Sequence, residues 1–235
     1  MKLLVIAKEP VAGRVKTRLC PPLRPEQAAA LAAASLADTL DVAVAAATVA
    51  DAEVTVVLDG APGPWLPAGV GVRPQAAGPF DERLAAAFDA EAGEPALLIG
   101  MDTPQVVPGQ LIEAMRELER ADAVFGAALD GGWWALGFRR CDGAPVRGVP
   151  TSRPGTGALQ RDRLRAAGLT VVELSRLRDV DVAADIPAVA RLAPGGRFAR
   201  LAREYGALDR IAPAGPASAV PPAAGRVRVA GEEVL

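Results

Sequence analysis

Short, continuous apolar runs separated by helix-length segments restrict this sequence more than any other feature. Lys2-Leu-Leu-Val-Ile-Ala7, Val54-Thr-Val-Val-Leu58, Ala96-Leu-Leu-Ile-Gly100 and the run from Ala123 to Ala128 all have strand length without a polar alternation. Strands of that kind are covered on both faces. Between them, Pro25-Glu-Gln opens a long helix to about Ala47, with Pro in its first position and an acid in its first turn. Further helices are expected near Glu82 to Ala90, Gly109 to Glu119, Gly155 to Ala166 and Ala184 to Ala193. Leu111, Met115 and Leu118 share one face of the second of these. Val70 to Arg73, Trp134 to Phe138 and Thr170 to Leu174 read as shorter strands. Such alternation implies an α/β layered fold with a mostly parallel sheet.

A chain of 235 residues suits one large domain with an appendage. Residues 1–210 carry the periodic pattern and are read as that domain. Residues 211–235 are mostly Pro, Ala and Gly and read as a linker or disordered tail, with a short strand conceivable at Arg226 to Ala230. The apolar run Leu3 to Ala7 is too short for a signal peptide. The Ala-rich stretch from Ala28 to Ala50 carries Asp38 and Asp41, so it reads as a helix of a soluble protein and no membrane is expected.

The sequence has no histidine, which excludes a Ser-His-Asp triad, a His-ligated zinc and a histidine base. Acid-base or metal chemistry must therefore use carboxylates, Lys or Cys. A net charge of -2 argues against nucleic acid held on a basic face. The two cysteines, Cys20 and Cys141, form no CxxC or disulfide framework, so a reducing cytoplasm is expected and both read as small buried residues.

Against that near-neutral background one loop stands out. Lys8, Arg14, Lys16 and Arg18 surround Gly13 directly after the first strand. Ligands of open α/β sheets bind beyond the carboxyl ends of strands, so the cluster suggests a phosphate or diphosphate. The plain alternative is a solvated loop whose cations pair with surface acids. The spacing fits neither a Walker loop nor the GxGxxG fingerprint.

The stretch A-K-E-P-V-A-G-R-V-K-T-R-L, from Ala7 to Leu19, closely resembles the signature of a bacterial glycosyltransferase-like family. That family belongs to the nucleotide-diphospho-sugar transferase superfamily, kin to the molybdenum-cofactor and phospholactate guanylyltransferases. Gln75-x-x-Gly78-x-x-x-Glu82-Arg83, Ile99-Gly-Met-Asp-Thr-Pro104, Asp130-Gly-Gly-Trp-Trp134 and Asp179-Val-Asp181 continue the resemblance in order. It implies a GT-A-like three-layer α/β/α sandwich with a mostly parallel mixed sheet.

The implied activity is transfer of a glycosyl group from a nucleotide sugar to a small acceptor. The alternative is nucleotidyl transfer from a nucleoside triphosphate to a phosphorylated acceptor, and a third reading is a catalytically silent nucleotide-binding protein. Lys8, Gly13, Arg14, Lys16, Thr17, Arg18 and Arg83 would meet the nucleotide and its phosphates, with Lys16 and Arg18 the direct contacts. Asp102, at a strand end, and Asp181 would hold Mg²⁺ or Mn²⁺, although either could instead cap a helix. Asp130 is the candidate base beside Lys16 and Asp102, or a residue that binds the acceptor or holds a turn. Gly131, Gly132 and Trp133 would face the acceptor. If Trp133 and Trp134 lie on a strand, at most one faces a pocket.

Overall fold

The computed structural model describes residues 1–211. The tail from residue 212 onward, including the conceivable strand at Arg226 to Ala230, lies outside them. Ile211 itself is buried against the last helices, so the packed region reaches one residue into the expected tail.

Among the described residues seven strands form one sheet: β1 (Lys2–Lys8), β2 (Glu53–Asp59), β3 (Gly71–Pro74), β4 (Ala96–Gly100), β5 (Ala123–Ala127), β6 (Trp133–Phe138) and β7 (Val171–Glu173). Their spatial order is β3-β2-β1-β4-β6-β5-β7, and only β6 runs antiparallel to its neighbours. This is the mostly parallel mixed sheet expected. Helices α1 (Pro25–Ala50), α2 (Phe80–Asp89), α3 (Pro108–Glu117), α4 (Thr156–Ala166) and α5 (Asp185–Leu192) follow the expected positions within a few residues.

Side chains of β1 alternate between two cores, as a strand period of two requires. Leu3, Val5 and Ala7 pack with α1 and α3 on one face. Leu4 and Ile6 face the other way, toward Leu84 and Phe88 of α2 and Leu164 of α4. With helices on both faces, the central strands need no polar side, which explains their unbroken apolar runs.

Two helices were not anticipated, α6 (Arg197–Glu204) and α7 (Ala207–Arg210). Phe198, Ala199 and Ala202 of α6 join Ile186 and Val189 of α5 on the outer side of α1, against Ala28 and Leu31. Helix α1 is thus covered by the sheet on one side and by α5 to α7 on the other. That position accounts for a helix apolar nearly all round, which by length and composition alone would be able to cross a membrane. Asp38, one of its three acids, accepts the α6 amides Arg197 N at 3.0 Å and Phe198 N at 2.9 Å and is buried.

After β1 the chain builds β2 and β3 on one side and then crosses to place β4 on the other. The crevice beyond the carboxyl ends of β1 and β4 lies at this reversal, where ligands of such sheets bind.

Candidate active site

A cavity of about 640 Å³ opens at that crevice. Lys8 from the end of β1, Asp59 from β2, Asp102 after β4 and Trp133 at the start of β6 all line it. Arg18, Arg83, Asp130, Gly132 and Asp181 also reach it.

Within the first loop the structure separates residues that the sequence grouped. Lys16 adopts a left-handed conformation with φ 48° ahead of a 3-10 turn at Thr17–Leu19, and its side chain turns inward. Its Nζ lies 2.8 Å from Asp102 Oδ2, with only 12% of the side chain exposed. Arg18 Nη1 donates to Asp181 Oδ2 at 2.6 Å. The two cations expected at phosphate therefore pair with the two carboxylates expected at metal.

Gly13, Arg14 and Thr17 are exposed and do not line the cavity. Gly13 has φ 75°, and a Cβ there would meet nothing within 4 Å. Glycine is used at that position for its turn rather than for a close approach.

Arg83 does not form an ion pair within its own helix. It donates to Asp59 Oδ2 at 3.0 Å and to the Gly78 carbonyl at 2.9 Å. Gln75 Nε2 meanwhile donates to the Ala7 carbonyl at 2.8 Å and the Val57 carbonyl at 3.1 Å, tying the ends of β1 and β2 together. Asp59 and Gln75 complete this wall, and their partnership is a product of strand order rather than of spacing.

Asp130 holds its own turn, because its Oδ1 accepts the Gly132 amide at 2.7 Å. Gly131, expected at the acceptor, instead serves packing: it has φ 94°, and a Cβ would lie 3.1 Å from Gly155 N. Its carbonyl accepts the Gly157 amide at 2.8 Å. Trp133 lines the cavity, whereas Trp134 is buried and donates Nε1 to the Ser175 carbonyl at 3.0 Å. Cys20 is half-buried, and burial pushes the Cys141 thiol up to about 12.

A residue outside the expected site completes the acidic side. Asp179 lines the cavity, and burial raises its carboxyl to about 7, helped by the negative charges of Asp130 and Asp102 and opposed by Lys16. Asp179 and Asp181 are two residues apart and both line the cavity, a pairing that the Asp-x-Asp spacing makes possible.

That segment is held from behind. Asp102 O accepts Val180 N at 2.9 Å, Gln105 Nε2 donates to the Arg178 carbonyl at 2.5 Å, and Arg178 pairs with Asp185 at 2.9 Å. Asp185 Oδ2 also accepts the amides of Asp181 and Val182.

Among the described residues no three His, Cys, Asp or Glu side chains form a metal-ligating cluster. A divalent ion here would rest on one or two carboxylates and on phosphate oxygens of a ligand. Asp102 fits such a role, because its Oδ1 is buried with no hydrogen-bond partner.

A mostly parallel sheet reversing beside β1, with a polar crevice at the reversal, is the architecture shared by nucleotide-diphospho-sugar transferases and nucleotidyltransferases. The fold is similar to that of a protein from Desulfovibrio desulfuricans G20 named as a candidate nucleotide-diphospho-sugar transferase, with 24% identity, a TM-score of 0.77, and coverage of 88% of this chain and 95% of that one. It is also similar to a nucleotidyl transferase from Methanothermobacter (16%, TM-score 0.53, 85% and 98% covered) and to CMP:2-keto-3-deoxy-manno-octonic acid synthetase complexed with CTP (16%, TM-score 0.50, 86% and 98% covered). No curated protein matches the sequence significantly. Residues 29–153, more than half of the chain, match the family described as "Uncharacterized protein conserved in bacteria (DUF2064)", and the chain belongs to that family.

Proposed function

We propose that this protein is a transferase that takes a nucleotide-activated donor, a nucleotide sugar, into the cavity and passes its glycosyl group to a small acceptor. The observation that carries the reading is the Lys16–Asp102 contact at the sheet's reversal point, which holds a cation and a carboxylate with one free oxygen together. Breaking the glycosyl–phosphate bond leaves negative charge on a diphosphate, and Lys8, Lys16 and Arg18 would stabilise it. Asp130 would take the proton of the acceptor hydroxyl. Mg²⁺ or Mn²⁺, held by Asp102 and Asp179 or Asp181, would neutralise phosphate oxygens. Trp133 offers an apolar face to the acceptor or the transferred sugar.

A second reading, nucleotidyl transfer with loss of pyrophosphate, is favoured by the Asp130 geometry. One of that residue's oxygens is committed to the turn, and an ionised phosphate nucleophile would need no base. The likeness in fold to the Methanothermobacter nucleotidyl transferase also supports it.

Thermal-shift measurements with nucleoside diphosphate sugars and triphosphates, with and without Mg²⁺ or Mn²⁺, test both. Stabilisation by diphosphate sugars supports glycosyl transfer. Stabilisation by triphosphates alone selects nucleotidyl transfer, and no response to any nucleotide rejects both.

A further inference from the structure

Resting on the transferase reading, we propose that Arg153 makes the acceptor side of the cavity a site for an anionic acceptor carrying a phosphate or carboxylate. The argument begins with a charge inventory. Arg83, Lys16 and Arg18 are matched to Asp59, Asp102 and Asp181. Arg153 lines the cavity, yet its guanidinium has no carboxylate or hydrogen-bond partner among the described residues. Two lining cations are left without a carboxylate among the described residues, Lys8 at the end of β1 on the donor side and Arg153 on the Asp130 side, and of these Arg153 has the planar fork of donors that suits bidentate binding of carboxylate or phosphate oxygens.

Its position separates it from the first loop. Arg153 lies between β6 and α4, in a segment packed on the Asp130 turn. The Gly157 amide donates to the Gly131 carbonyl at 2.8 Å, and a Cβ on Gly157 would fall 2.4 Å from the Gly132 oxygen. The buried Thr156 hydroxyl accepts Arg153 N at 3.3 Å and lies 2.8 Å from the Pro150 carbonyl. Arg153 is thus presented by a braced segment on the same wall as Asp130. An acceptor whose hydroxyl meets Asp130 would place its anionic group against Arg153. Without that cation the carboxylate of Asp130 would repel it.

Two probes and two sets of substitutions separate this inference from the donor reading. With Mg²⁺ present, calorimetric titration compares pyrophosphate, as a donor-side probe, with glycerol 3-phosphate, glycerate and glycerol. We expect Arg153→Ala to weaken glycerol 3-phosphate or glycerate binding about tenfold or more while pyrophosphate affinity is retained. Lys16→Ala/Arg18→Ala should do the reverse. Which of glycerol 3-phosphate and glycerate binds more tightly assigns the group as phosphate or carboxylate. The proposal is overturned if neither binds the wild-type protein more tightly than glycerol, if Arg153→Ala leaves both unchanged, or if Arg153→Ala weakens pyrophosphate equally. Pyrophosphate binding that is absent, or indifferent to Lys16 and Arg18, defeats the donor reading instead and leaves the Arg153 comparison readable.

Discussion

Lys16 Nζ and Asp102 Oδ2 stand 2.8 Å apart, joining the loop after the first strand to the end of the fourth. The pair braces one edge of the cavity, and in the proposed function both members are ligand contacts. On that reading a bound phosphate would give Lys16, and a bound divalent ion would give Asp102, a new partner of opposite charge.

Lys16→Ala removes the cation and leaves a half-buried carboxylate with no partner on either oxygen. Because Asp102 is 35% exposed, water absorbs part of the penalty, and the expected loss is about 1–2 kcal/mol. Urea denaturation measures it. Asp102→Asn in the Lys16→Ala background should recover part of that loss, whereas no recovery would show that the charge was not the cause.

Asp179 gives the protein a pH dependence opposite to that of an ordinary paired carboxylate. Its folded pKa of about 7 lies above the unfolded value near 3.8, so the native state binds the proton more tightly. Its stabilising contribution is complete below the unfolded value and declines as pH rises from about 4 to 7. Asp179→Asn should therefore stabilise the ligand-free protein at pH 8, by roughly 3–4 kcal/mol at most, and flatten the stability profile between those limits. Thermal denaturation across pH reads both, and an unchanged profile would refute the assignment.

Asp185 is 7% exposed and carries three partners: Arg178, the Asp181 amide and the Val182 amide. Asp185→Ala removes the carboxylate that pairs with Arg178 and leaves the Asp181 and Val182 amides without their acceptor, and is expected to cost about 3 kcal/mol or more. Asp185→Asn keeps one acceptor and should cost less. Because the same contacts set the Asp179–Asp181 segment, nucleotide-dependent stabilisation should fall in both variants.

Gly157 offers a test with an unusual sign. Replacing a helical glycine by alanine ordinarily gains up to about 1 kcal/mol. Here the added Cβ would meet backbone, the Gly132 oxygen, at 2.4 Å. Gly157→Ala should therefore destabilise by about 2 kcal/mol, and its crystal structure should show the Asp130 turn shifted. A stabilised variant would mean that the turn and α4 are not locked together.

Strand-end positions were readable where local rules suffice. Asp102 follows a buried run and precedes Thr103-Pro104, so a place at the carboxyl edge of the sheet followed from sequence. The alternation of Trp133 and Trp134 followed from strand period alone, and the structure places the first at the cavity and the second in the core. Helix α6 went unread although Phe198, Ala199 and Ala202 have helical spacing, because the eight residues of Arg197–Glu204 are too few for periodicity to dominate. The distinct roles of Gly131 and Gly132 were illegible too, since they depend on α4 lying against that turn.

By itself the sequence determined the layered α/β fold, because apolar runs without alternation can only be satisfied between two layers of helices. It also determined the chemical vocabulary of the site, in which the absence of histidine leaves carboxylates, lysine and arginine. Tertiary structure alone decided how that vocabulary is paired. Lys16 meets Asp102 across 86 positions and Arg18 meets Asp181 across 163. Such contacts are set by strand order, and burial then gives otherwise equivalent aspartates different protonation behaviour.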